Sequence, residues 1–219
     1  YHKKTTNILM FVPQSYAMTG ESGHWDNIGA MMNRGVEVAV DGDVVRTKDF
    51  TWNMSANFSY NKNKLLELYN GVEEYVGHPV TEFFLNRYAG VNPANGDALW
   101  YTADGEITTE FREEDKVMTG KAYESPWAGG FGTTLMWKGL SLSAQFSWMA
   151  KRYVMNNDRF FEESNGIYST YNQSKRLLYD RWKKPGDITD IPRYDVVAKL
   201  DDRFLENTSF LRLKNLTLA

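Results

Sequence analysis

The stretch FTWNMSANFSY, residues Phe50–Tyr60, alternates between apolar and polar residues without a break. Its even positions carry apolar residues, with aromatic rings at both ends, and its odd positions carry only Thr, Asn and Ser. Because successive side chains of a β-strand point to opposite faces, the pattern predicts one strand of about eleven residues. A strand in a soluble sheet usually sends Lys, Glu or Arg to its solvent side. Small uncharged polar groups instead suit a strand with lipid outside and a wet, crowded lumen inside.

Two hairpins follow from the same alternation elsewhere in the chain. Ser141–Trp148 alternates in the same way, and the tight Lys138-Gly139 connection joins it to a predicted strand over Gly130–Trp137. The segment Gly35–Asp41, with valine at every second position, reaches the Phe50–Tyr60 strand through a short polar link at residues 46–49. The sequence therefore predicts two short-turn hairpins.

Two more strands are predicted near the ends of the chain. Tyr1–Met10 has a weak alternating pattern. Ser209–Leu218 has a clearer one, but its phase slips between Leu213 and Leu216, which predicts a β-bulge. About six strands are expected in all.

The lengths of the connections are strongly unequal. Two links are a few residues long, whereas the segments at about 61–127 and 150–206 are much longer. Both short turns fall on one side of the predicted sheet and both long connections on the other. Outer-membrane β-barrels have this asymmetry, with short periplasmic turns and long extracellular loops. Soluble β-sandwiches favour shorter loops.

Composition excludes several classes of function. The 219 residues include 7 Trp, 13 Tyr and 12 Phe, an enrichment that serves both membrane-interface girdles and carbohydrate-contacting surfaces. A net charge of -3 provides no general attraction to nucleic acid. The absence of cysteine excludes disulfide, thiolate and Cys-zinc chemistry. The longest apolar run, Ile8–Val12, is far below the roughly 18–20 residues of a membrane helix.

Several motifs, in order, resemble the C-terminal barrel region of SusC/RagA-type TonB-dependent transporters. They cover almost the whole chain. They are NIGAMMNRGVE (27–37), FTWNMSANFSYNKNKLLEL (50–68), VGHP (76–79), YAGVNPANGDALW (88–100), TGKAYESPWAGGF (119–131), RWKKPGD (181–187) and SFLRLKNLTL (209–218).

The resemblance implies an all-β fold, part of a large antiparallel barrel that has about 22 strands when complete. It also implies import of glycans or peptides across the Gram-negative outer membrane, with a SusD-like surface lipoprotein and TonB as partners and outer-membrane lipid as surroundings. The family's plug domain and TonB box have no counterpart in residues 1–219. We therefore expect the chain to be a barrel portion of a longer protein, with extracellular loops at about 61–127 and 150–206.

Three aromatic residues in or near the long connections are candidates for substrate binding. Trp100, Tyr101 and Trp127 have rings of the kind that stack on sugars, although packing within loops or girdles is the commoner role of such rings. Arg34 and Glu37 lie close together in sequence where a loop enters a strand. They are interpreted either as a lumen ion pair near the plug or as a local charge pair that sets strand register.

No catalytic residue, cofactor or metal site is predicted. The consecutive acids Glu113, Glu114 and Asp115 suit a solvated surface better than the paired carboxylates of a glycosidase. His2, His24 and His78 lack metal-ligand spacing. The alternative to a barrel segment is a soluble β-sandwich that binds carbohydrate through exposed aromatic residues, as a module that can be attached to a glycoside hydrolase.

Overall fold

The computed structural model describes residues 1–14, 20, 22–69, 72–168 and 170–219. Residues 70, 71 and 169, within the two predicted long loops, lie outside the described part. The chain divides into two compact units. The first unit comprises Tyr1–Thr81, Ala122–Arg152 and Thr208–Ala219, and the second comprises Glu82–Lys121 and Tyr153–Asn207.

The described residues are mostly β-strand, with a few short helices. In chain order the strands are β1 (His2–Pro13), β2 (Gly23–Arg46), β3 (Phe50–Glu67), β4 (Glu82–Leu85), β5 (Arg87–Val91), β6 (Ala98–Tyr101), β7 (Ile107–Thr108), β8 (Val117–Ala122), β9 (Trp127–Trp137), β10 (Leu140–Ala150), β11 (Tyr153–Met155), β12 (Leu205–Asn207) and β13 (Phe210–Leu218). The α-helices are α1 (Asn157–Glu162) and α2 (Arg176–Tyr179), and 3-10 turns lie at Glu73–Tyr75, Glu113–Asp115 and Asp202–Phe204. No helix among the described residues is long and apolar enough to cross a membrane.

The first unit is one six-stranded sheet with the order β1-β2-β3-β9-β10-β13. Every neighbouring pair is antiparallel. The links from β2 to β3 and from β9 to β10 are short, and the links from β3 to β9 and from β10 to β13 are long. The predicted strands, hairpins and alternation of turn lengths are therefore confirmed.

Local chemistry explains the turn between β9 and β10. Leu140 pairs directly with Trp137, which leaves only Lys138 and Gly139 in the connection. Both have positive φ, 48° and 92°. A two-residue turn of this kind has a twist that matches the right-handed twist of the strands it joins, and glycine meets the positive φ without steric cost.

The phase slip in the last strand is a β-bulge, as predicted. Gln145 pairs with Asn215, but the next residue of β10, Phe146, pairs with Leu213. Lys214 is therefore the extra residue on β13. The bulge returns Leu213 and Leu216 to the same face, so that both remain apolar neighbours of β10.

Two strands are much longer than their alternating segments indicated. β2 begins at Gly23 and not near Gly35, and β3 continues to Glu67. Their ladder runs from Arg46↔Thr51 to Ala30↔Glu67 with two register shifts. Backbone hydrogen bonds between the two strands sustain them beyond the part where one face is uniformly apolar.

The second unit is formed entirely by residues of the two long connections. It contains the sheets β4-β8, β5-β6-β7 and β11-β12, together with α1 and α2. Its core is small and well buried, with Phe204 1% exposed and Trp100 and Ile191 each 4% exposed. The long connections therefore have a packed core of their own.

A glycine of β9 provides a direct test of how closely the first sheet is packed. A Cβ on Gly129 would lie 2.5 Å from the carbonyl oxygen of Asn57 and 2.9 Å from the Trp148 ring. We expect Gly129→Ala to lower the free energy of unfolding by about 1–3 kcal/mol, because the backbone and the ring must move. Gly42→Ala is the control, since a Cβ there meets nothing within 4 Å.

The measurement is the denaturant midpoint of each variant in the protein as its gene encodes it, folded in lipid bilayers. Gly42→Ala should stay within about 0.5 kcal/mol of the parent. Equal losses for the two variants would contradict the close contact between β3, β9 and β10.

Candidate functional site

One face of the six-stranded sheet is apolar and open. Cross-strand pairing places the even residues of β3 in rows with residues of the neighbouring strands. The central row joins Val40, Ala56, Phe131, Phe146 and Leu213. Val40 is 62% and Leu213 is 49% exposed. An apolar surface of this extent requires a covering layer, and a soluble monomer rarely leaves one open.

No charged residue interrupts this face between two boundary rows. The first row contains Val36, Tyr60 and Trp127, and the last contains Val45 and Trp52. The rows between them in β2, β3, β9, β10 and β13 are also uncharged. Thr133 is the polar side chain in these rows. Its hydroxyl accepts a hydrogen bond of 2.9 Å from the indole nitrogen of Trp52, so both polar groups have a partner within the apolar surface.

Aromatic rings mark both ends of the apolar face. At the end of the long connections the Tyr60 and Trp127 ring centroids are 4.2 Å apart, and Phe58 lies 5.6 Å from Trp127. At the end of the short turns Phe50 pairs with Trp137. The ten steps from Phe50 to Tyr60 span about 33 Å along the strand, or about 25 Å along the normal at a tilt of about 40°. That is the height of the apolar band of an outer-membrane barrel.

The opposite face of the same strands is polar. One row joins Asp41, Ser55, Gly132, Gln145 and Asn215.

Side-chain hydrogen bonds join neighbouring strands on this polar face. Asn53 donates to Asp43 at 3.2 Å, and Asn63 donates to Asn33 at 2.9 Å. Amide, hydroxyl and carboxylate groups at this spacing can exchange hydrogen bonds with water and with the hydroxyl or peptide groups of a solute.

Trp100 is a core residue of the second unit. Its indole nitrogen donates to Oδ2 of Asp201 at 2.9 Å, and the Tyr88 and Phe111 rings meet it at centroid distances of 6.2 and 5.5 Å. With 4% of its surface exposed, it presents no open ring face to a sugar. Tyr101 is half-buried, with the Arg87 guanidinium 5.4 Å from its ring centroid.

Trp127 lies on the apolar face of the first unit. Its half-buried ring packs against Tyr60 and Phe58, in the aromatic group at the end of the long connections. The structure therefore separates the three aromatic candidates: Trp100 and Tyr101 belong to the second unit, and Trp127 belongs to an aromatic girdle.

Arg34 and Glu37 point to opposite faces of β2, which corrects their interpretation as a charge pair. Arg34 pairs with Lys62, beyond Tyr60 on the side of the apolar face, whereas Glu37 pairs with Ser59 on the polar face. Residues three apart are neighbours on a helix but not on a strand, where alternate side chains diverge. No ion pair between these two residues occurs in the described part of the chain.

A network of charged residues holds the second unit together. Arg176 bonds Glu163 and Asp190, both at 2.7 Å, and Arg159 reaches the same two carboxylates at 3.1 and 3.4 Å. Burial acts to lower the pKa of Arg176, but the hydrogen bonds to Asp190 and Glu163 outweigh it and raise the pKa above its ordinary value. Burial acts to raise the pKa of Asp190, but Arg176 holds that pKa below its ordinary value. Sequence spacing showed no sign of this network.

A second polar group is buried beside Trp100. Burial raises the pKa of Tyr88 to about 12 and also raises the pKa of Asp201. Asp201 accepts from Arg203 at 3.0 Å, and the Arg203 guanidinium lies 4.0 Å from the Tyr88 ring centroid. Each of these groups has a partner within the core, so the arrangement is structural.

An open pocket of about 520 Å³ lies on the second unit. Phe161 and Tyr168 meet there edge to face at 4.9 Å, and Tyr171 is 65% exposed. The other lining residues are Asp158, Glu162 and Asn172. Exposed rings beside carboxylate and amide groups suit contact with a polar solute that has apolar faces. The residues of this pocket follow no motif, so nothing in the sequence indicated it.

These two faces define the class of protein. An antiparallel sheet with an uncharged apolar band bounded by aromatic rings, and a polar opposite face, is part of the wall of a large transmembrane β-barrel.

Comparison with known proteins identifies the type of barrel. TonB-dependent receptor P3 of Formosa agariphila is 25% identical over 100% of this chain and 24% of that protein. TonB-dependent receptor SusC of Bacteroides thetaiotaomicron is 24% identical over 100% of this chain and 23% of that protein. A chain in the solved structure of the RagAB peptide transporter matches with a TM-score of 0.88 and 33% identity, over 99% of this chain and 26% of that chain. No protein-family profile matches.

The resemblance to SusC/RagA-type TonB-dependent outer-membrane transporters is thus confirmed over the whole chain. The chain spans about a quarter of the length of the relatives it matches. These relatives are transporters and receptors, and none of those compared is named as an enzyme.

Proposed function

We propose that this chain forms part of the barrel wall of a SusC-like TonB-dependent transporter in the outer membrane of a Gram-negative bacterium. The transporter imports glycans or peptides, and the chain itself has no enzymatic activity. The observation that carries the proposal is the uncharged apolar band on one face of the sheet and the polar rows on the other. The first face contacts lipid and the second lines the water-filled lumen.

The long connections take the role of extracellular loops in this proposal. They contain a packed core and a pocket with exposed aromatic rings, which are properties of ordered loops that contact solute or a partner. We place a SusD-like lipoprotein on this extracellular side and TonB on the periplasmic side, by analogy with the relatives. Tyr101 and the rings around Tyr171 are the candidate substrate contacts, and Glu37 is a lumen residue.

The alternative, a soluble β-sandwich that binds carbohydrate, has little support. A sandwich covers the apolar face of each sheet with a second sheet. In the first unit the described strands form a single sheet, and Val38 and Leu211 on its apolar face are 51% and 64% exposed.

Transport is tested by deleting the gene and measuring uptake of labelled oligosaccharides and labelled oligopeptides by whole cells. We expect loss of uptake of one of these classes, restored by the intact gene but not when TonB is also deleted. Unchanged uptake of both classes would contradict the proposed import.

The orientation of the wall is tested with single cysteines, since residues 1–219 contain none. Ala56 and Asn57 are adjacent and both exposed in the isolated sheet, but they point to opposite faces. The outer-membrane vesicles are opened so that a membrane-impermeant, water-soluble maleimide reaches both membrane surfaces. We expect the maleimide to label Asn57→Cys and to leave Ala56→Cys unlabelled, because lipid surrounds Ala56.

Labelling after solubilisation in urea is the control, and both cysteines should then react. Fast labelling of Ala56→Cys in the opened vesicles, before any urea is added, would exclude a lipid-facing apolar surface.

A further inference from the structure

A group of basic residues continues the apolar face beyond its aromatic girdle, at the end of the long connections. His2 pairs with Arg34, and Arg34 pairs with Lys62. In the next row Met32 lies between Lys4 and Lys64. We call His2, Lys4, Arg34, Lys62 and Lys64 the outer basic cluster.

Pairing and hydrogen bonding show which face these residues occupy. Asn33 and Asn63 are directly paired, and their side chains are joined at 2.9 Å, so both lie on the polar face. Their neighbours in sequence therefore point to the other face. Directly paired residues share a face, which places Arg34 and Lys62 one row beyond Val36 and Tyr60 on the apolar side.

The cluster is not neutralised within the described part of the chain. Arg34, Lys62, Lys4 and His2 are exposed, and no described ion pair involves a member of the cluster. Like charges directly opposite each other on neighbouring strands destabilise a sheet. Arg34 beside Lys62 is such a pair, so an anion from outside the chain would relieve the repulsion.

The other end of the apolar face is different. At the end with the short turns, Arg46 forms an ion pair with Asp43 at 3.3 Å on the polar face, and Lys138 lies 5.7 Å from the Trp137 ring centroid. Acidic and basic groups are mixed at the short turns. At the edge where the long connections leave the sheet, by contrast, five basic residues lie together on the apolar side.

We infer that the outer basic cluster binds the phosphate groups of a phosphorylated glycolipid in the outer leaflet, at the level where the apolar band ends. The inference rests on the proposed function, because it requires lipid against the apolar face. Arg34 has the planar fork that meets two phosphate oxygens, and the lysines supply mobile ammonium groups. The acyl chains of the same lipid would lie along Val36, Val38 and the rows of the apolar face that follow them toward the short turns. Charge complementarity and continuity with the apolar face thus point to a lipid headgroup.

The test uses the protein as its gene encodes it, purified in a neutral detergent. The probe is a diphosphorylated glucosamine-disaccharide lipid, compared with the same lipid after removal of its phosphates. Binding is measured by native mass spectrometry over a concentration series. Each basic residue near a charged lipid surface contributes about 1 kcal/mol, so Arg34→Gln/Lys62→Gln should weaken binding roughly thirtyfold.

The matched control is Lys3→Gln. Lys3 is an exposed basic residue of the same strand as His2 and Lys4, but its pairing with Asn33 places it on the polar face. It should leave binding unchanged, and the dephosphorylated lipid should bind parent and double variant equally weakly.

Three results would overturn the inference: unchanged affinity in the double variant, an equal loss in Lys3→Gln, or displacement of the lipid by equimolar inorganic phosphate. The last result would indicate a general anion site. Failure here is distinguishable from failure of the proposed function, because the Ala56→Cys labelling pattern depends only on the apolar band and not on the cluster.

Discussion

Replacing Ala56 by arginine should lower the free energy of unfolding in a bilayer by about 2–4 kcal/mol. Ala56 lies in the central row of the apolar face, between Val40 and Phe131, four residues from both Trp52 and Tyr60. A guanidinium there is near the middle of the hydrocarbon layer. No acidic residue shares the face within the apolar band, so the charge has no partner.

Asn57→Arg is the matched control for this prediction. Asn57 is the next residue of β3 and faces the polar side, in a row with Ser147 and Arg212. Unfolding of both variants in phospholipid vesicles is measured by denaturant titration, and the control should lose less than about 1 kcal/mol. If the two variants lost the same stability, the sheet would not separate lipid from water.

Trp100→Ala should destabilise the second unit by about 3–5 kcal/mol. The substitution removes a ring that is 4% exposed and leaves a cavity beside Tyr88 and Phe111. It also removes one of the N–H donors to Asp201, the one that bonds its Oδ2. Amide hydrogen exchange in peptides from residues 153–207 measures the loss, because it reports the local opening free energy of this unit.

Two further variants divide this effect into its parts. Trp100→Phe keeps most of the ring but removes the hydrogen bond to Asp201, and it should cost about 1–3 kcal/mol. Tyr179→Ala truncates a ring that is 70% exposed and should change exchange by less than about 0.5 kcal/mol. A Trp100→Ala variant with the exchange of the parent would show that Trp100 is not a core residue.

The strands of the first unit are largely predictable because each element depends on neighbours along the chain. Alternation at Phe50–Tyr60, the Lys138-Gly139 turn and the slip near Lys214 are all local patterns with a local physical cause. The extensions of β2 and β3 to Gly23 and Glu67 were missed, because the partner strand and not residue alternation stabilises them.

The candidate site was predicted less well, because it depends on contacts between distant residues. Arg34 and Glu37 are close in sequence but diverge in space, whereas Trp100 and Asp201 are 101 residues apart and hydrogen-bonded. Exposure of a ring is also decided by what packs on it. For this reason the sequence indicated Trp100 as a candidate for substrate contact, although the fold buries it.

The sequence by itself determined that this protein has a two-faced antiparallel wall, since a strand alternates with period two whatever its neighbours are. It also determined the unequal connections and the family resemblance. Only the tertiary structure decided which strands are adjacent and in what register. Register aligns the apolar rows into an uncharged band and sets Arg34 beside Lys62 beyond its edge. Packing within the second unit buries Trp100 against Asp201. Side-chain proximity across strands depends on pairing between distant residues, which the order of residues along one strand does not contain.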